Sequence, residues 1–323
     1  MPYATTTPVP RLQLIARALA PLFAVVGTFM LLAARVEAGE SGTGRHYTVS
    51  ARDQGPLRLY VEEQGHGDPV VLMHGLGAST YTWRKIVPVI ARHHHVFNID
   101  LKGFGRSDKP RDGRYGFLDQ AALIKNLLIR RGLTGVTLVG HSLGGGVALA
   151  TVLSANKTHP GLISRLVLID APAYPQPFAQ TMTTLRDPVL GPLSVTLVPP
   201  EVGAAIALSG GGGYNKVTRE DIRAYARPMY SVGARQALLA TANQIVPPNL
   251  PALTKTYPTI EQPALLFWCR TDDVVPLSTG IRLSKALPHA SLHISDGCLH
   301  LPMEEQPALL GQLIVKFLGD HHD

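Results

Sequence analysis

Cysteine is scarce: the chain holds two in 323 residues, too few for a disulfide-built scaffold, and without a C-x-x-C pair neither offers a zinc or redox site. Charge is scarce too. Asp, Glu, Lys and Arg make up 16% of the chain, and the net charge of +7 comes from Lys and Arg scattered without a run of five or more. That distribution argues against nucleic acid as a partner. The histidine run His93–His95 leads into a strand and has no partner ligand at metal spacing, so no metal is expected. No cofactor is expected either, because the Gly-rich stretch at 140–146 lacks both the G-x-G-x-x-G spacing and the Lys of a phosphate loop. What abounds is apolar. Hydrophobic residues are 45% of the chain, enough at this length for a large buried core.

Long hydrophobic runs are absent but for one. Arg11 and Arg17 precede an uncharged stretch, Ala18–Ala34, followed by Arg35 and the small-residue pattern Val36-x-Ala38. A basic flank, an apolar middle and a small-residue site are the parts of an export signal, and about 17 residues is also the short limit of a bilayer span. Residues 1–38 are therefore expected to export the chain. They act either as a signal peptide, releasing the rest outside the cytoplasm, or as a retained anchor that gives membrane association; both readings stay open.

Beyond a Gly- and Ser-containing linker at 39–44, short β-type runs recur. HYTVS (46–50) and LRLYVEEQG (57–65), split by turn residues, predict an antiparallel hairpin at the first edge of a sheet. Then come PVVLM (69–73), HVFNID (95–100), GVTLVG (135–140), SRLVLID (164–170), PALLFWC (263–269) and ASLHIS (290–295), each nearly continuous in apolar residues, as strands covered on both faces require. Helical patterns fill the gaps at about 79–92, 118–131, 143–156, 278–287 and 306–318. This alternation predicts an α/β protein with a mostly parallel, eight-stranded sheet flanked by helices. The interval 171–262 is too long for a crossover. It is rich in proline, then helical, with a capping box at Thr218-x-x-Asp221. It is expected to be a helical lid inserted in a core formed by 46–170 and 263–320.

The central chemical signal is Gly140-His141-Ser142-Leu143-Gly144, directly after one strand and before a helical pattern rich in small residues. A strand turning sharply into a helix strains its middle residue and thrusts that side chain out of the sheet's carboxyl end, which is why glycines flank it. Serine at this position is a nucleophile only with an imidazole to take its proton and a carboxylate to orient the imidazole. Of the histidines downstream, His289 and His293 belong to the last strand, His321 and His322 to the tail, and His159 precedes the insertion; His300 alone lies in a loop past the last strand. The acid is expected at the end of the preceding strand, where Asp272 is chosen over Asp273; Asp170, closing the strand before the insertion, is the rival. An oxyanion needs two backbone donors, expected from the amides of Leu143 and of Leu76 in the loop His74-Gly75-Leu76-Gly77, with His74 holding that loop by hydrogen bonds.

HGLGAS (74–79), DLKGFGRSDKP (100–110), GHSLGG (140–145), WCRTDDVVP (268–276) and GCLHLPMEEQP (297–307) together resemble successive signatures of the α/β-hydrolase superfamily, over residues 46–318. The branch resembled is the lid-bearing esterase, perhydrolase and epoxide-hydrolase-like one. The resemblance implies a serine hydrolase, Ser142–His300–Asp272, acting on an ester, lactone or thioester. Relatives with Asp at the elbow are set aside by Ser142. Carbon–carbon hydrolases of ring-cleavage products share the serine, but their usual first loop resembles HGxGPG, which HGLGAS is not. Asp100 and Ser107 match a turn that braces the site. The Leu-, Ala-, Val- and Tyr-rich insertion implies a small apolar substrate. A cofactor-free perhydrolase and a non-catalytic binding protein on the same fold are the alternatives. Cys269 and Cys298 are expected to be small thiols filling space beneath the triad; a bridge tying the acid loop to the histidine loop is the second possibility, excluded if their α-carbons stand more than about 7 Å apart.

Overall fold

The structure, a computed structural model, describes residues 44–51, 54–210 and 217–319. The expected export segment at 1–38 lies outside them. Among the described residues no single helix is long and apolar enough to cross a membrane.

Eight strands form one sheet: β1 (Arg45–Ala51), β2 (Gln54–Gln64), β3 (Pro69–Met73), β4 (His95–Ile99), β5 (Val136–His141), β6 (Ile163–Ile169), β7 (Ala264–Cys269) and β8 (Ala290–Ser295), in the order β1-β2-β4-β3-β5-β6-β7-β8. β1 and β2 are the antiparallel hairpin at one edge, β2 meets β4 antiparallel, and every later pairing is parallel. Alternate residues of the central strands enter two separate apolar layers. Leu138, Leu166, Leu168, Leu266 and Trp268 face one layer; Val139, Val167, Ile169, Leu265 and Phe267 face the other. That double burial explains the unbroken apolar runs.

Helices cover both faces. They are α1 (Val87–Ile90), α2 (Phe117–Arg130), α3 (Leu143–Thr158), then α4 (Gln180–Arg186), α5 (Leu190–Leu197), α6 (Pro200–Gly210), α7 (Arg219–Ala226), α8 (Ala234–Asn243) and α9 (Leu250–Thr254), and finally α10 (Leu277–Ala286), α11 (Pro302–Glu305) and α12 (Pro307–Gly319). The helix expected at 79–92 is instead a 3-10 turn, Thr80–Trp83, and the single turn α1. Pro88 lacks an N–H and belongs in a first turn, so it restarts the helix rather than continuing it.

Among the described residues, the six helices α4–α9 lie between β6 and β7. Thr218 begins α7 as the capping box predicts, its hydroxyl accepting from the Asp221 amide at 3.1 Å. Asp221 also accepts from Tyr81 (3.2 Å) and Arg84 (2.6 Å). Tyr225 of the same helix bonds Thr82 and donates to Glu304, each at 2.8 Å. Glu304 in turn pairs with Arg84 and, at 2.8 Å, with Lys85. One buried carboxylate thus ties α7, the 80–85 turn and α11 together. Removing Glu304 takes a carboxylate from Lys85 and leaves Arg84 with Asp221, and both cations retain some solvent access. Glu304→Ala is expected to cost about 2–3 kcal/mol, read as a lower denaturant midpoint with unchanged slope; no change would mean the cluster contributes nothing net.

Candidate active site

β5 ends at His141 and α3 begins at Leu143, leaving Ser142 alone to make the turn. Its φ is 49° and its ψ −120°, a conformation costing a non-glycine residue about 1–3 kcal/mol. Among the described residues only one other non-glycine residue, Asp170, has a positive φ. The turn is held by Ser142 N–H donating to Ile169 O at 2.9 Å and by Gly145 N–H donating to Ser142 O at 2.8 Å. Gly144 is required sterically: a β-carbon there would stand 2.2 Å from Met73 O.

The elbow aims Ser142 at the loop after β8. His300 Nε2 is 3.2 Å from Ser142 Oγ, and His300 Nδ1 is 2.8 Å from Asp272 Oδ2. A carboxylate only accepts, so Nδ1 carries the proton and Nε2 presents its lone pair to the hydroxyl. Asp272 Oδ1 accepts the amides of Val274 (2.7 Å) and Val275 (2.9 Å), which turns its other oxygen toward the imidazole. Its side chain is fully buried, whereas Asp273 is exposed. The loop 74–77 runs against the elbow so closely that a β-carbon on Gly75 would come within 2.9 Å of His141 Nδ1 and 3.3 Å of Ser142 Cβ. Leu76 follows in this turn, and Leu143 is the first residue of α3, whose leading amides have no intrahelical acceptor. His74 braces the loop. Its Nδ1 donates to Gly75 O at 2.7 Å, and its Nε2 accepts from Leu101 N–H at 3.1 Å. Burial pushes its pKa down to about 4, so the ring stays neutral and keeps one donor and one acceptor. Asp100 accepts the amides of Thr80 and Arg106, and Ser107 donates to Asp100 O, bracing the neighbouring turn.

The sequence profile of a family described as alpha/beta hydrolase fold matches residues 68–193. The chain is 28% identical over 269 residues to an uncharacterized protein of Mycobacterium tuberculosis, covering 79% of this chain and 76% of that one. It is also 28% identical over 275 residues to a 2-hydroxy-6-oxo-2,4-heptadienoate hydrolase of Pseudomonas putida, covering 82% and 94%. A thermophilic esterase from Thermogutta terrifontis superposes with a TM-score of 0.69 at 21% identity, over 86% of this chain and all of the other. The chain has the α/β-hydrolase fold.

Three further residues shape the site; the sequence did not mark His141 or Glu305 as site residues, and it offered Asp170 only as the rival acid. His141, the variable residue of the elbow motif, donates from Nε2 to His300 O at 2.7 Å; burial holds its pKa well below the usual range, so the ring is neutral. Glu305 accepts the amides of Leu299 and Leu301, each at 3.0 Å through Oε2, gripping the loop on both sides of His300. Asp170, the rival acid, closes β6 behind Asp272 and accepts from Cys269 N–H at 2.9 Å. The histidines set aside earlier lie elsewhere: His293 stacks on Phe267, and His289 meets Glu261 at the surface.

Among the described residues, two clusters bring potential metal ligands within 4.8 Å of one another, His141–Asp170–His300 and Cys269–Cys298–Glu305. In the first, His141 and His300 are already committed to the contacts above. In the second, the sulfurs are bonded to each other. Cys269 and Cys298 form a disulfide with α-carbons 5.3 Å apart, which corrects the expectation of two free thiols. β7 and β8 pair in parallel with Cys269 opposite Ser295, so the loop leaving β8 carries Cys298 back beside Cys269. The bridge closes a separation of 29 residues. Chain entropy alone gives such a loop roughly 3–4 kcal/mol. Cys298→Ser, or reduction, is expected to lower unfolding stability by that order and to lower turnover, since both His300 and Asp272 lie within three residues of a bridged cysteine. Thiol titration of the denatured, unreduced protein should find no free thiol; two per chain would contradict the bridge.

Proposed function

We propose that the protein is a serine hydrolase that cleaves a carboxylic ester, lactone or thioester through an acyl-enzyme. The observation that carries this reading is the contiguous relay Ser142 Oγ, His300 and Asp272 at 3.2 and 2.8 Å. In it, His300 Nε2 takes the Ser142 proton as Oγ attacks the carbonyl carbon. Asp272 holds the ring's tautomer and offsets the imidazolium charge. The oxyanion sits between the amides of Leu76 and Leu143, each such donor being worth about 3–4 kcal/mol in the barrier. His300 then gives its proton to the departing alkoxide, and water repeats the sequence on the acyl-enzyme.

The helices α4–α9 act as the lid. Leu238 of α8 reaches the oxyanion loop, 3.7 Å from where a β-carbon on Gly77 would stand, and Leu76 and Leu238 both pack on the main core. That apolar wall favours a small apolar acyl or alcohol group. The Cys269–Cys298 bridge supports an oxidising compartment, in keeping with export through residues 1–38, anchored or released.

A second reading is favoured by the hydrolase of Pseudomonas putida: cleavage of a carbon–carbon bond in a 2-hydroxy-6-oxo-dienoate, for which the same serine relay would serve. The experiment that separates the two compares p-nitrophenyl esters of graded chain length with 2-hydroxy-6-oxo-2,4-heptadienoate. Short esters are expected to turn over well and the dienoate poorly; the reverse order would overturn the ester reading. Ser142→Ala is expected to lower kcat by roughly 10³- to 10⁶-fold with the fold intact, because the members of a triad act as one unit. Retained turnover in a folded variant would remove the serine from the mechanism.

A further inference from the structure

Asp170 is a fully buried carboxyl group that the relay does not use. It turns the chain out of β6 with φ 44°. Its Oδ1 accepts from Cys269 N–H, while its Oδ2, also buried, meets no donor among the described residues. The group beside it is Asp272, another buried carboxyl: Asp272 Oδ2 is 2.8 Å from His300 Nδ1, and an Asp170 oxygen lies within 4.8 Å of a His300 ring nitrogen. Two carboxylates sharing a site away from water cannot both stay ionised, so one of them holds a proton.

Donor count decides which. Asp272 receives three N–H groups, from Val274, Val275 and His300, all of which favour its charged form. Asp170 receives one. The other titratable groups nearby do not compensate a second negative charge: His300 directs its Nδ1–H to Asp272, His141 is neutral and spends its Nε2 proton on His300 O, and Glu305 is itself acidic and engaged with the loop amides. Burial, then the charge of Asp272, drives the Asp170 carboxyl well above the usual carboxylate range. A proton on Oδ2 converts the unpartnered acceptor into a donor facing Asp272.

We propose that Asp170 is a neutral carboxylic acid whose Oδ2–H donates to the Asp272 carboxylate, making it a positioning residue that orients the acid of the relay and steadies its charge. The hydrogen bond fixes the rotation of Asp272 toward His300 Nδ1. Because Asp170 is neutral, the imidazolium faces one negative charge rather than two. The catalytic consequence rests on the serine-hydrolase reading; the protonation does not.

The test pairs a spectrum with kinetics on the full-length protein. At neutral pH, the infrared difference between wild type and Asp170→Asn should show a protonated-carboxyl C=O stretch that the variant lacks, and Ser142→Ala should keep that band. Absence of the band in wild type, or its loss in Asp272→Asn with survival in Asp170→Asn, would overturn the proposal. In turnover, Asp170→Ala should lower kcat by about tenfold or more with KM little changed, as loss of one member of a buried polar network does. Asp170→Asn should rescue most of that loss, its amide still accepting from Cys269 N–H and donating to Asp272. Equal loss in both variants, or none in Asp170→Ala, would refute positioning. If Asp170→Ala does not fold, the band and the Asn variant still decide. Full activity in Ser142→Ala would sink the serine reading while leaving the infrared result standing.

Discussion

The structure depends on one backbone constraint, the left-handed turn at Ser142. β5 lies in the middle of a parallel sheet, so its carboxyl end opens where several crossover loops converge, and α3 must begin at once to cover the sheet behind it. Only a residue at positive φ makes that turn in a single step. The strain is held by hydrogen bonds from Ser142 to Ile169 and from Gly145 back to Ser142, and by the space that Gly144 leaves for Met73 O. Because the Ser142 side chain is placed by backbone geometry rather than by a rotamer, the other groups need only be brought to it.

They are brought by loops, and loops alone would be too mobile. Here each is tied at several points. The acid loop folds over its own carboxylate through the amides of Val274 and Val275. The histidine loop is gripped by Glu305 through the amides of Leu299 and Leu301, by His141 at the carbonyl of His300, and by the covalent bond from Cys298 to Cys269. Neutral buried histidines suit this work, since His74 and His141 supply directional hydrogen bonds without adding a buried charge. The ion cluster centred on Glu304 extends the same fastening outward, from α11 next to the histidine loop to α7 of the inserted helices.

Much of this was legible in the sequence because it is local. β3 and β8 have the bounds their apolar runs predict, and β4 to β7 begin and end within about a residue, since burial on both faces leaves an unambiguous signature. Ser142, Asp272 and His300 could be picked out because each lies just past a strand of a sheet whose order the alternation implies. Asp170 was legible as a rival but not in its relation to Asp272, which depends on β6 and β7 being neighbours. His141 and Glu305 carry no signal beyond their place in a motif, since their partners are backbone groups 159 and 4 to 6 residues away. The cysteine bridge needed the β7–β8 register. The broken helix at 80–90 turned on Pro88, whose effect periodicity does not weigh.

The central claim is that Ser142 is activated as a nucleophile by His300 and Asp272. Its most direct measurement is the site of covalent modification by a fluorophosphonate, located by peptide mass spectrometry on wild type and on His300→Ala. The account predicts one adduct per chain, on Ser142, forming far more slowly in His300→Ala. An adduct on another residue, or labelling of Ser142 at the same rate without His300, would contradict it.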